Sequence, residues 1–383
     1  MLITIDRMCF NTAVQQVHHA VNSRTPIPIL TGILFIADEN GLTLAGSNSD
    51  ISIQTKIPLR SPAEAEEEEP LLVHRPGKVV LPARYTAEII RRLDGEKLTI
   101  EVSANYTAKI TSGKTEVLLN GLDPEEYPAL PGFDWENNPS IVLPGNLLKT
   151  LIQQTVFAVA ESETRPILTG VCWEMHEGRL RLTATNSHRL AKRETPIEVN
   201  VPPFEQVIIP GKSLNELLKL IEGEESVEIA FTQNQILAKA ENWLFTSRRL
   251  EGFYPDTSRI IPQSAKTEVL ISNRILHDAI NRAYLFAREI KNNVVKCSIQ
   301  EGQPLVITAD SPAVGQVTEE VPILGFSGES AHIAFNARYM LEALRAIDSE
   351  DVQLLITGPM SPFILRPEAD DSLIQLILPV RTN

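Results

Sequence analysis

The sequence predicts an α+β fold made of three tandem copies of one domain, each copy carrying a strand–helix unit twice, followed by further strands. Three observations carry this. Pro28-Ile29-Leu30-Thr31-Gly32 recurs as Pro166-Ile167-Leu168-Thr169-Gly170, and at the same offset Asn48-Ser49 recurs as Asn186-Ser187. A strand that ends by opening a helix recurs at Val80-Leu81-Pro82-Ala83-Arg84-Tyr85, Ile208-Ile209-Pro210-Gly211-Lys212-Ser213 and Ala334-Phe335-Asn336-Ala337-Arg338-Tyr339. The copies also begin alike, with a strand and then a helix at Leu2 to Ile5, Ile141 to Pro144 and Val269 to Ser272. Repeats of this length mean duplicated domains, not a short solenoid.

Elements follow in order from these anchors. Strands are expected after the second helix of each copy, at Leu98 to Val102, Val227 to Phe231 and Val352 to Ile356. Leu42-Thr43-Leu44-Ala45 and Leu180-Arg181-Leu182-Thr183-Ala184 alternate, so one sheet face should be buried. Turn-rich joints at 123–139 and 252–266 separate the copies, giving domains 1–128, 129–255 and 256–383, each a normal size for one core. Tyr127-Pro128 and Tyr254-Pro255 stand at equivalent exits. The acidic stretch from Ser61 to Pro70 reads as a solvated loop.

The helices are two-faced. From Asn146 to Phe157, Leu147, Leu148, Leu151, Ile152 and Val156 form one stripe, opposite Asn146, Lys149, Thr150, Gln153 and Gln154. From Lys212 to Ile221, Leu214, Leu217, Leu218 and Ile221 form another. In the first copy Tyr85, Ile89 and Leu93 oppose Arg84, Glu88, Arg91 and Arg92. Asp6, Ser272 or Asn273, and Asn336 are candidate caps, and Ser213-x-x-Glu216 fits a capping box.

Composition bounds the function. With 43% hydrophobic and 22% charged residues the chain is globular. No run approaches ~18 apolar residues and the first residues lack the pattern of a signal peptide, so a soluble, cytoplasmic protein is expected. Cys9, Cys172 and Cys297 lie far apart in apolar contexts and read as reduced core residues. The net charge of −14 argues against nucleic acid until its distribution is considered. Each of the six helix segments carries a surplus of one or two positive charges, so everything else is more acidic than the total.

Six related helices of one sign imply one shared basic surface. Packed roughly 10 Å apart, six helices in a circle leave a hole of only about 9 Å, whereas twelve leave about 28 Å. A duplex about 20 Å across fits only the second. A head-to-tail dimer closed by pairing sheet edges supplies twelve, with helices lining a ring and sheets outside. Such a lining holds phosphates loosely and reads no sequence.

The whole chain resembles the bacterial beta sliding clamp family, the processivity subunit of DNA polymerase III. The resemblance rests on Arg24-Thr25-Pro26-Ile27-Pro28-Ile29-Leu30, Ala184-Thr185-Asn186-Ser187-His188-Arg189-Leu190-Ala191, Phe253-Tyr254-Pro255-Asp256 and Leu378-Pro379-Val380-Arg381, in that order on a threefold repeat. It implies the DNA clamp fold and a ring-shaped homodimer around duplex DNA that tethers polymerase subunits, a clamp loader and repair proteins. These partners insert a short Gln- and Leu/Phe-containing peptide between the second and third domains. Position by position, the family's pocket falls on Leu168, Thr185, His188, Arg189 and Leu190, on Pro255, Arg259 and Ile260, on Met360 and Pro362, and on Ile377, Leu378, Pro379, Val380 and Arg381. Apolar side chains rimmed by Arg and His suit such a peptide. Arg24 matches a DNA contact from the lining, and Arg91, Arg92, Lys149, Lys219, Arg282 and Arg345 are the helix cations expected to face DNA. Val117 and Leu119 with Leu285 and Phe286 fall near the dimer seam. Two departures stand out: the family's frequent Asp-Gly before His-Arg is Asn186-Ser187, and the tail reads Leu-Pro-Val-Arg-Thr-Asn, as in Firmicutes-type bacteria.

Rival classes fare worse. Ser187 beside His188 has no Gly-x-Ser-x-Gly elbow, and adjacent residues on a strand would face opposite ways. None of the seven histidines has metal-binding helical spacing, and no Gly-rich phosphate loop follows a strand. The reading therefore calls for no catalytic residue, no metal, no cofactor and no membrane. The alternative is a peptide-binding scaffold that does not hold DNA, which predicts no surplus of positive charge on the helices.

Overall fold

The computed structural model describes residues 1–59, 70–130, 132–197, 203–289 and 292–381. The acidic stretch expected as a loop lies, apart from Pro70, outside the described residues. Six α-helices are described: α1 Arg7–His18, α2 Ala83–Arg92, α3 Gly145–Gln153, α4 Gly211–Ile221, α5 Asn273–Ala287 and α6 Ala337–Ala346. Each follows a strand without a break, as the repeated joint predicts. The mixed α/β architecture is thus the one the repeats imply. No described helix is long and apolar enough to cross a membrane.

The chain forms two compact units, residues 1–148 with 215–249, and 149–214 with 250–383. In the first, a five-stranded sheet runs in the order Leu71–Arg75, Leu2–Asp6, Lys97–Val102, Thr107–Ser112, Thr115–Asn120. An eight-stranded sheet runs Ser140–Pro144, Ser226–Phe231, Gln235–Lys239, Trp243–Arg248, Ile51–Pro58, Gly41–Ser47, Gly32–Asp38, Gly77–Pro82. Its middle joins two repeats, with Trp243 opposite Thr55 and Ser247 opposite Ile51. Helices α1 and α2 pack on each other, and α1 buries Phe10, Ala13, Val14 and Val17 over this sheet.

In the second unit a nine-stranded sheet runs Phe204–Pro210, Gly170–His176, Arg179–Thr185, Arg189–Pro196, Leu373–Ile377, Phe363–Pro367, Asp351–Ile356, Thr267–Ser272, Gly325–Gly328. A four-stranded sheet runs Gly315–Val321, Leu305–Ser311, Val294–Ile299, Ala331–Asn336. Helix α5 lies against this smaller sheet and against α6, enclosing Leu276, Ile280, Ala283, Ile307, Phe335 and Leu344. Among the described residues every strand pair in both units is antiparallel, so edges and faces rather than crossovers set what is exposed.

The repeated motifs have local causes. Pro28–Thr31 and Pro166–Thr169 are 3-10 turns, each closed by the threonine hydroxyl on the proline carbonyl at 2.8 and 2.7 Å. A Cβ on Gly32 or Gly170 would run into the Val80 or Ile208 side chain of the neighbouring strand. Asn48 Oδ1 accepts the Asp50 and Ile51 N–H groups at 3.1 and 3.0 Å, and Asn186 Oδ1 accepts those of His188 and Arg189 at 3.0 and 3.1 Å. The serines that follow both take left-handed backbone, with φ of 79° at Ser49 and 74° at Ser187.

Several details differ from the sequence reading. Asp6 and Asn336 cap their helices, accepting from Cys9 N–H at 2.8 Å and from Arg338 N–H at 2.9 Å. Ser272 makes no side-chain cap, and Asn273 instead donates to the carbonyls of Leu344, Ile347 and Ser349, stapling α5 to the end of α6. Ser213 lies inside α4, which starts at Gly211, so no capping box forms. Helix α3 stops at Gln153, and Gln154, placed on its polar stripe, is buried with its carbonyl accepting from Gln375 at 3.0 Å. In α2 the buried face is Ala83, Thr86, Ala87 and Ile90, whereas Tyr85 is exposed, because the small residues let the helix sit close to its sheet. Cys172 and Cys297 are buried, and burial pushes both thiols up to about 12.

Candidate functional site

All fifteen pocket residues expected from the resemblance belong to the second unit. Residues Asn186–His188 form the link between two strands of the nine-stranded sheet. It is a turn and not a strand, so the strand argument used against Ser187 as a nucleophile does not hold. Its left-handed Ser187 leads instead into His188, which is exposed, and then into the strand Arg189–Pro196. That strand pairs with Leu373–Ile377, Arg189 opposite Ile377 and Leu190 opposite Leu376. The ladder continues past the strand end, since Leu378 N–H donates to His188 C=O at 2.9 Å. One step on, Val380 N–H donates to Ala334 C=O at 2.7 Å. The tail is therefore held by its backbone, with Leu378, Pro379 and Val380 partly exposed and Arg381 exposed.

Beneath this surface Leu190 packs with Ile364 and Leu376, and Leu378 and Ile261 pack against them. Ile377 belongs to the core around Phe363. Leu168 packs with Cys172, Ile208 and Tyr254. The Tyr254 hydroxyl accepts Thr185 N–H at 2.9 Å and donates to Gly170 C=O at 3.5 Å, and burial pushes its phenol well above the usual tyrosine range. Tyr127 makes the matching contact in the first unit, to Ala45 C=O at 3.4 Å. Thr185 is itself buried, its hydroxyl donating to Arg189 C=O at 2.6 Å. Pro255, Arg259 and Ile260 lie exposed on the joint after Tyr254, with Arg259 Nε 3.6 Å from Asp256. Met360 is exposed and Pro362 half-buried on the loop before Phe363–Pro367, the Pro362 carbonyl accepting from the Thr357 hydroxyl at 3.2 Å.

Arg189 departs from its expected place on a peptide-facing rim. It is 5% exposed. Its guanidinium donates to the Glu342 carboxylate and to Phe157 C=O, and it lies 5.1 Å from the Phe157 ring and 4.6 Å from the Tyr339 ring. Glu342 also takes Arg338 Nε at 2.9 Å, and Arg338 reaches Glu161 at 2.6 Å. The cation is an internal strut, enclosed because aromatic faces and two acceptors replace its water. Nothing in the sequence ties Glu342, Tyr339 and Phe157 to Arg189. Glu342 is one of several acids on helix surfaces, and only the fold brings it to Arg189.

The helix cations are differently placed. Arg91 and Arg92 end α2 exposed, and both reach Glu88, at 3.1 and 2.6 Å. Lys219 meets Glu216 at 2.7 Å, and Arg282 forms a two-pronged pair with Glu319 at 2.6 and 2.8 Å. Arg345 donates to His277 Nε2 at 3.2 Å. Lys149 is half-buried on α3, and Arg24 is exposed in the loop after α1. Much of the positive charge is thus shared with carboxylates, which weakens any phosphate contact.

For the seam, Val117 and Leu119 are half-buried on Thr115–Asn120, the last strand of the five-stranded sheet, and Leu118 between them is exposed. Leu285 is exposed on α5, and Phe286 packs against the core. Among the described residues no group of three or more His, Cys, Asp or Glu could hold a metal.

Family models for the DNA polymerase III beta subunit match the chain throughout: the N-terminal domain over residues 1–131, the central domain over 142–256 and the C-terminal domain over 258–381. The chain belongs to the DNA polymerase III beta subunit family, the beta sliding clamps. It is 45% identical over 383 residues to the beta sliding clamp of Bacillus subtilis (strain 168), and 44% identical over 384 residues to that of Staphylococcus aureus (strain Mu50), covering all of each chain. The crystal structure of the DNA polymerase sliding clamp from Bacillus subtilis superposes with a TM-score of 0.94 over all of both chains. As a member of the clamp family the chain is a non-catalytic subunit of DNA polymerase III.

Proposed function

We propose that two copies of this chain close head to tail into a ring around duplex DNA. The ring tethers the replicative polymerase, the clamp loader and repair proteins through a short Gln/Leu/Phe peptide, in the bacterial cytoplasm. The peptide cleft lies between the His188 turn, the joint at Pro255 to Ile260, the Met360 loop and the tail from Ile377 to Arg381, at the meeting of the second and third of three domains with limits near 128 and 255. The observation that carries this reading is the Leu378 N–H bond to His188 C=O, which draws the tail of one repeat onto the turn of another. Around it stand partly exposed apolar side chains, the lining that two hydrophobic anchors need.

The seam is supported by two sheet ends. Thr115–Asn120 closes the order of the five-stranded sheet and Gly315–Val321 that of the four-stranded sheet, so each offers a backbone edge to a second copy. Glu320, exposed on the latter, complements Lys114, exposed beside the former. Arg24 and the helix cations hold phosphates without reading bases.

The test is fluorescence polarisation of a labelled Gln-x-Leu-x-Leu-Phe peptide against the whole chain and a variant cut before Leu378, with masses from light scattering. Saturable binding lost in the cut variant, with the dimer mass kept, is expected. A folded dimer that does not bind overturns the cleft. Loss of the dimer on truncation overturns the separation of cleft from seam.

A further inference from the structure

We infer that the outward face of the four-stranded sheet in the second unit is a docking groove for an acidic stretch of the partner chain, continuing from the peptide held in the cleft. This inference rests on the cleft proposed above.

The groove encloses about 680 Å³. Its floor comes from residues that alternate away from the core: Lys296 and Ser298 on Val294–Ile299, opposite Thr308 and Val306 on one side and Ala334 and His332 on the other. Helix α5 packs against this sheet through its buried residues, among them Val295, Ile299 and Ile307, which point the other way. One wall is the Pro359–Met360 loop and the other is Val380–Arg381 of the tail. Val380 N–H bound to Ala334 C=O fixes that second wall along the sheet edge.

Charge selects the occupant. Lys296, His332 and Arg381 line the groove and no carboxylate does. The carboxylates on the same face, Asp310 and Glu320, belong to the two strands nearer the opposite edge, so an acidic segment is drawn to the tail side. Lys296 lies 3.9 Å from Asp310, but both side chains are more than half exposed, and such a pair yields easily to a competing carboxylate. His332 Nδ1 is 2.8 Å from the Ser298 hydroxyl. With that hydroxyl donating, Nε2 carries the proton and can donate to an acid.

Continuity selects the source. Met360, Val380 and Arg381 line this groove and also belong to the candidate cleft, so a chain leaving the cleft past Met360 enters it directly. Three strands spaced about 4.8 Å apart make a floor about 10 Å wide, the reach of roughly three extended residues. The sheet edge proposed for the dimer seam is the opposite one, which leaves the groove open in the ring.

The experiment measures polarisation on the full-length protein at low and at high salt. The probes are the Gln-x-Leu-x-Leu-Phe peptide alone and the same peptide carrying Asp-Asp-Glu or Lys-Lys-Lys at one end or the other. The acidic extension at one end should tighten binding about three- to tenfold at low salt, within what a few partly exposed charge pairs supply. Lys296→Glu should abolish that gain and leave the short peptide unchanged. Equal affinity for acidic and lysine extensions overturns the groove, as does an acidic preference that survives Lys296→Glu. Failure of the short peptide itself to bind overturns the cleft, and so is a separate result.

Discussion

The Arg189 guanidinium and the Glu342 carboxylate form a largely buried ion pair that ties the first residue of the strand Arg189–Pro196 to α6. Removing one member leaves the other charged and enclosed, which costs on the order of 3–5 kcal/mol for a fully buried pair. Glu342 keeps some exposure, so Arg189→Met should fall near the lower end. Arg189→Met with Glu342→Leu should recover part of the loss. Urea midpoints of the single and double variants measure this, and full additivity would contradict a direct pair.

Ser187 occupies left-handed backbone in which a Cβ is strained by roughly 1 kcal/mol or more. Ser187→Gly should therefore raise the melting temperature by a few degrees without weakening the docking peptide, because Asn186 still accepts from His188 and Arg189. A lower melting temperature would mean that the hydroxyl matters more than the backbone.

Leu285 is 52% exposed, too open for its loss to unsettle the core. Leu285→Glu should convert the dimer to monomer in light scattering at micromolar concentration while far-UV circular dichroism stays unchanged. A persistent dimer moves the seam elsewhere.

Arg24→Glu should shorten retention on circular DNA and leave peptide affinity intact, since Arg24 belongs to the first unit and the cleft to the second. Salt should weaken the native protein's DNA contact steeply and the variant's less so. Reduced peptide affinity would contradict this division of labour.

Glu194 supplies a pH dependence. Burial acts against its charge, but hydrogen bonds from Arg179 and Arg181 outweigh it and hold the carboxyl down at about 2, from an ordinary 4.5. Because the folded value is the lower, its contribution is complete above about pH 4.5 and is lost as pH falls from there toward 2. The stability gap between native protein and Glu194→Gln should be widest at neutral pH and close in that window. A constant gap in urea midpoints would assign the effect to packing.

The repeated joints were legible because they are local chemistry. Gly32 and Gly170 lack room for a Cβ, and Asn48 and Asn186 close the same turn, so identical letters reappear wherever the geometry does. Helix positions came from apolar spacing for the same reason. The Arg189 strut was not legible, since Arg189, Phe157 and the α6 pair Tyr339 and Glu342 come from three separate stretches and meet only through the fold. Tyr85 misled in the opposite sense: an aromatic at helical spacing suggested a core stripe, whereas Ala83, Thr86 and Ala87 make the close contact and leave the ring outside.

The pairing of Trp243–Arg248 with Ile51–Pro58 bears on how such a chain can be recombined. A chimera assembled from two relatives by cutting at the Pro-rich joint near residue 130 would force strands of different ancestry to share one ladder, their side chains meeting in a core neither parent shaped. Grafts in which residues 215–249 travel with residues 1–148 keep that ladder in one lineage. The exchangeable module is then a sheet assembled from two stretches of chain, and the linear repeat marks ancestry more than it marks what can be swapped.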